Sequence, residues 1–143
     1  MCIRDSLQQA TDAMWAISSS FGPHTPEQWL ALCSHMVKPV DTLAAAGGKL
    51  RLHYDPAIAH AFGIATEAST QESQAILWQL YEQIKADTLL LRGAQSDLLS
   101  SRTAQSMQLR GPRARLVEFA GVGHAPTLVA SEQLAVVADF LLS

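Results

Sequence analysis

Charge is scarce in this sequence, and cysteine scarcer still. Of 143 residues, 16% are charged and 48% are hydrophobic, and the formal net charge is −3. A disordered chain needs the reverse balance, so the composition points to a globular domain with its own core. A weakly acidic chain offers no basic surface to attract nucleic acid or an anionic membrane, and neither is expected as a partner. No apolar run reaches the length of a membrane span. The two cysteines, Cys2 and Cys33, make neither a disulfide framework nor a metal-binding spacing. Cys33 falls in a helical pattern and reads as a small core residue. Internal repeats and low-complexity tracts are also missing.

The first six residues are unusual. Met1–Ser6, MCIRDS, back-translates as ATG-TGT-ATA-AGA-GAC-AG plus a pyrimidine. This resembles a transposon end joined to DNA during library preparation. Residues 1–6 are therefore set aside as an artificial, adapter-like start, and the chain is expected to be a truncated reading frame. The same stretch has no apolar core of a secretory signal, and the compartment stays open.

Leu7, Ala10, Met14, Ile17 and Phe21 recur at helical spacing and predict an amphipathic helix. FGPHTPEQ breaks it. Thr25 then caps a second helix, with Pro26 at its first position and Gln28 closing a capping box. Trp29, Leu32, Cys33 and Met36 share one face of that helix, and Pro39 is expected to end it. A loop follows, then an extended piece around Leu50–Tyr54, a brief helix after Pro56, and a longer helix with Leu77, Leu80, Tyr81 and Ile84 on one face. Beyond these the pattern changes. TLLLR at 88–92 is a short apolar run, as in a strand buried on both faces of a parallel sheet. Residues 100–109 read as a helix, and RLVEF at 115–119 alternates like an edge strand. Ser131 is expected to cap a last helix with Leu134, Val137, Ala138 and Leu141 facing inward. The class is α/β: packed helices, then a strand–helix–strand–helix unit whose long crossover favours parallel pairing.

Two residues stand where chemistry collects. Asp97 lies just beyond the first strand and His124 just beyond the second. In open α/β sheets, sites form outside the carboxyl ends of the strands, so adjacent parallel strands would deliver both side chains to one rim. A carboxylate beside an imidazole fixes its tautomer and stabilises the imidazolium once the ring takes a proton. Gly121 and Gly123 let the backbone turn before His124, and Pro126 stiffens the exit. Taken singly, each has a plainer reading: a carboxylate that caps a turn, a loop histidine satisfied by backbone.

LLLRGAQSDLL followed by RLVEFAGVGHAP resembles the last third of the α/β-hydrolase superfamily. In that family an acid loop and a G-x-G-H loop complete a triad in the chain order nucleophile, acid, histidine. The resemblance implies that Asp97 is the triad acid and His124 the general base. It is specific over 85–143 and looser over 7–84, where LRLHYDPAIAHAF resembles the end of a cap region in bacterial members. The implied layout is a partial α/β-hydrolase fold, with residues 7–70 a helical cap region and 71–143 the C-terminal part of the core. The family's G-x-S-x-G elbow has no counterpart here: no two glycines four apart bracket a Ser, Cys or Asp. The oxyanion segment is missing as well. In the family both precede the cap, so truncation accounts for their absence.

Other candidates are weaker. His53 and His60 lie seven apart, and His24 and His35 stand in the first half without H-E-x-x-H or a supporting cluster, so no metal is expected. His53, Tyr54 and Asp55 read as structural, although they also suit a cavity wall. Trp15, Trp29 and Trp78 read as core, and Ser96 as a turn residue rather than a nucleophile. No G-x-G-x-x-G follows a strand, and no cofactor is expected. The full-length protein is expected to act on a small-molecule ester or related acyl substrate. Two alternatives stand beside this: a catalytically inert fragment, and a small α/β interaction module that self-associates through an open sheet edge.

Overall fold

The structure is a computed structural model that describes residues 5–40, 49–63 and 67–143. Helix α1 spans Leu7–Ser18 and tightens into a 3₁₀ turn at Ser19–Phe21. Ser6 caps α1 by accepting from the Gln9 amide. Helix α2, Pro26–Ser34, begins with the expected capping box: Thr25 accepts from the Gln28 amide while the Gln28 side chain holds the Thr25 amide. The two helices pack through Trp29, whose indole N–H donates to the Thr11 carbonyl at 3.2 Å, and through Cys33, which is fully buried. Burial pushes the Cys33 thiol up, as suits an inert core residue, with the Thr11 hydroxyl opposing the shift.

Helix α2 stops at Ser34, five residues before the proline expected to end it. Val37–Pro39 instead forms a strand, β1, paired antiparallel with β2, Leu50–Leu52. Pro39 sits at the end of this pairing, where its missing N–H costs least. The residues between, 41–48, lie outside the described set, as does part of the adapter-like start. Helix α3, Ile58–Gly63, follows the Asp55 turn, in which the carboxylate accepts from the Ala57 amide. Helix α4 runs from Glu67 to Glu82.

The second half matches its expected order closely: β3 Leu89–Gly93, α5 Ser101–Leu109, β4 Arg115–Phe119 and α6 Ser131–Leu142. Strands β3 and β4 are parallel and in continuous register, from Leu89 against Arg115 to Gly93 against Phe119. Helix α5 crosses between them with Ser100 as its cap. Helix α4 docks on the end of α5: Tyr81 donates to the Met107 carbonyl, and the Arg110 guanidinium lies 4.0 Å over the Trp78 ring while pairing with Glu82.

Two expectations about burial fail. On α4, Leu77 and Leu80 are exposed, and on α6 so are Leu134 and Leu141, the last at 72%. An apolar helix face is buried only where a second layer lies against it, and among the described residues β3 and β4 form a sheet of two strands. Ser131 is also not the cap of α6. Ala130 holds that position without a side-chain bond, and the buried polar residue there is Gln133.

Candidate active site

The register of β3 and β4 decides where the loops go. Gly93 and Phe119 are the last paired residues, so the chain leaves both strands at the same rim. The two exits are stitched together: the Ala94 amide donates to the Phe119 carbonyl, and the Gln95 amide to the Val122 carbonyl, both at 2.9 Å. They come so close at Gly93 that a Cβ there would lie 2.0 Å from the Gly123 oxygen and 2.4 Å from the Val122 oxygen. Only glycine fits this contact.

Asp97 stands on the first loop, four residues past β3, and His124 on the second, five past β4. Both side chains are exposed. His124 lines a cavity of about 240 Å³ together with Ser96, Leu99, Pro126 and Leu128. Asp97 is adjacent to Ser96 in sequence but is not among the residues lining that cavity, and no hydrogen bond joins it to His124 among the described residues. The structure therefore brings the two loops together and leaves the two side chains unpaired with each other. Ser96 plays the turn role expected of it: its hydroxyl accepts from the Leu99 amide at 3.1 Å.

The acid loop is organised from beneath by a residue the sequence reading passed over. Arg92 is 6% exposed, inside β3. Its guanidinium donates to the carbonyls of Leu99, Ala94 and Ser96, at 2.6, 3.3 and 3.4 Å, and to the Glu118 carboxylate on β4. One buried charge thus satisfies three backbone acceptors of the loop that carries Asp97, and the partly solvated Glu118 balances it. The signal was visible in LLLRG: a lone cation in a buried strand needs partners. Arg92→Met should lower the stability of the chain by about 2 kcal/mol, because the loop carbonyls lose their donors. A denaturation midpoint equal to that of the parent chain would contradict this.

The histidine loop is held differently. Gly121 has φ +73°, with open space where a Cβ would be. Ala125 and Leu128 also adopt left-handed backbone, at φ 67° and 59°, which side-chain-bearing residues do only when their surroundings impose it. The Leu128 amide donates to the buried Gln133 side chain at 2.8 Å. From the other half of the protein, the Ser20 carbonyl accepts from the Gly123 amide at 2.6 Å.

Of the remaining candidates, His53 and His60 are exposed, and among the described residues no three His, Cys, Asp or Glu side chains gather as metal ligands. Trp29 is core as expected, whereas Trp15 is 39% exposed. His24, set aside as weak, makes two hydrogen bonds, one of them to the histidine loop.

No protein-family model matches the chain. A curated relative, the 3-hydroxybutyrate-oligomer hydrolase of Cupriavidus necator, is 44% identical over 135 residues, which is 94% of this chain and 45% of the relative. The crystal structure of an α/β hydrolase from Novosphingobium aromaticivorans superposes with a TM-score of 0.74 at 28% identity, covering 99% of this chain and 47% of that one. E-2-(Acetamidomethylene)succinate hydrolase shares the fold at 17% identity, with a TM-score of 0.69 and the same coverage of both chains. The chain thus spans less than half the length of the proteins it matches.

Proposed function

We propose that this chain, which belongs to the α/β-hydrolase superfamily and carries a C-terminal part of its fold, supplies the acid and the base of a hydrolytic triad. In this reading Asp97 is the acid and His124 the base. The nucleophile and the oxyanion donors come from elsewhere in the full-length protein. The observation that carries it is the parallel, in-register pairing of β3 and β4, with the two exit loops in backbone contact at Gly93. Acid before histidine is also the family's chain order.

The reaction is acyl transfer to the nucleophile and then to water. As the nucleophile attacks the acyl carbon, the free imidazole nitrogen of His124 takes its proton and passes it to the departing alcohol. Water then attacks the acyl-enzyme, giving its proton to the same nitrogen, which returns it to the nucleophile as the acid leaves. Asp97, which the structure leaves unpaired with His124, is to meet the other ring nitrogen in the full-length protein, keep it protonated and stabilise the imidazolium that forms in each half-reaction. The cavity beside His124 gives the reacting group a partly apolar approach over Leu99, Pro126 and Leu128. The 44% identical relative is named for 3-hydroxybutyrate oligomers, which makes such an oligomer the substrate to try first.

Without an activated nucleophile the 143-residue chain itself is inert. A serine-directed fluorophosphonate should leave it unlabelled by intact-mass measurement, while labelling the full-length protein if its nucleophile is serine. Stoichiometric labelling of the short chain would show that it carries a nucleophile of its own.

A further inference from the structure

His24 belongs to the connection between α1 and α2, yet it reaches the loop that carries His124. Its ring stands edge-on to two tryptophans, with centroids 5.3 Å from Trp29 and 6.5 Å from Trp15, and Trp29 is itself buried. One ring nitrogen, Nδ1, lies 2.8 Å from the Gly22 carbonyl. A carbonyl can only accept, so Nδ1 carries the proton. The other ring nitrogen, Nε2, lies 2.7 Å from the Thr127 hydroxyl and accepts from it when the ring is neutral. Thr127 is three residues past His124.

The same connection grips the loop on the other side of His124. Ser20 accepts from the Gly123 amide at 2.6 Å, and a Cβ on Gly123 would lie 2.5 Å from that Ser20 oxygen. Gly22, at φ +105°, brings the chain against Val122, whose Cγ2 would be 3.0 Å from a Cβ at Gly22. His124 therefore sits between two anchor points, Gly123 and Thr127, both attached to residues 20–24. Between them Ala125 keeps a left-handed backbone that needs outside support.

We propose that His24, held by the tryptophan pair, is a positioning residue that fixes the His124 loop through Thr127. This rests on the reading of His124 as the base and adds the part that orients it. His24 itself takes no proton from substrate. It converts the packing of α1 against α2 into a set direction for the imidazole five residues past β4. A loosened clamp leaves the substrate cavity in place and makes productive orientations of His124 rarer, so it lowers kcat more than it changes KM.

The test uses amide hydrogen exchange on the 143-residue chain and steady-state kinetics on the full-length protein. Thr127→Val keeps the shape and removes the hydroxyl, whereas Thr127→Ser keeps the hydroxyl. The Val variant should speed exchange at Gly123 by about tenfold, the weight of one lost hydrogen bond, while exchange within β3 rises no further than the small fall in the denaturation midpoint from that one bond allows. The Ser variant should return Gly123 to parent behaviour. His24→Phe, which keeps the ring between the tryptophans, should reproduce the Val variant. In the full-length protein, Thr127→Val should lower kcat about tenfold with KM within twofold, again restored by Ser. Unchanged exchange at Gly123 in both Thr127→Val and His24→Phe would overturn the clamp, as would a uniform rise across the chain, which marks general loosening. Neither result bears on His124 as the base. That reading fails separately, if His124→Ala leaves turnover intact.

Discussion

Asp97→Asn in the full-length protein is expected to lower kcat by about 10⁴-fold with KM little changed. The amide is nearly isosteric and leaves the loop's supports untouched, because Arg92 and Ser96 hold that loop through its backbone. What changes is the partner offered to the imidazole. A carboxylate accepts from the ring N–H and offsets the positive charge that develops on the ring. An amide does neither well, and it can hold the ring in the wrong tautomer. Hydrolysis of the 3-hydroxybutyrate oligomer proposed above as the first substrate to try, followed by acid release at constant pH, measures the effect. Near-normal turnover would remove Asp97 from the catalytic group.

The second large effect belongs to Gly93. Gly93→Ala is expected to destabilise the chain by about 3 kcal/mol, the upper end of what overpacking costs. The atoms in the way are the Gly123 and Val122 oxygens, 2.0 and 2.4 Å from the added carbon. Both are backbone and cannot swing aside as a side-chain tip would. The Val122 carbonyl also accepts from the Gln95 amide, so relief at one loop breaks the bond to the other. The substitution therefore pushes apart the two loops that bear Asp97 and His124. Activity in the full-length protein should fall at least as steeply as stability does. A denaturant titration showing a loss under about 1 kcal/mol would mean that the loops are not in contact here.

How much of this was legible in the sequence depends on the range of the interaction. The capping box at Thr25–Gln28 and the spans of α5 and β4 are written locally and appear where they were read. The parallel pairing of β3 and β4 followed from the length of the crossover, and it fixes the common rim. Strand β2 falls within the extended piece read around Leu50–Tyr54, whereas β1 was missed because three residues are too short to show alternation and Pro39 reads as a helix stop. The faces of α4 and α6 were read correctly as apolar but not as exposed, since periodicity identifies a face and not what covers it. His24 was invisible for a plainer reason: its partner Thr127 is 103 residues away, and no local pattern announces such a bond. Arg92 was legible in principle, as one charge set in an apolar strand, and its role emerges only from the carbonyls around it.

The proposed chemistry requires that Asp97 and His124 meet as a pair in the full-length protein. The direct measurement is a crystal structure of the full-length protein with its nucleophile blocked by a phosphonate. An Asp97 carboxylate oxygen is expected within about 2.6–3.2 Å of the His124 Nδ1 atom, with Nε2 turned toward the phosphonate. A separation wider than one bridging water can span, or an imidazole turned away from the blocked nucleophile, would contradict it.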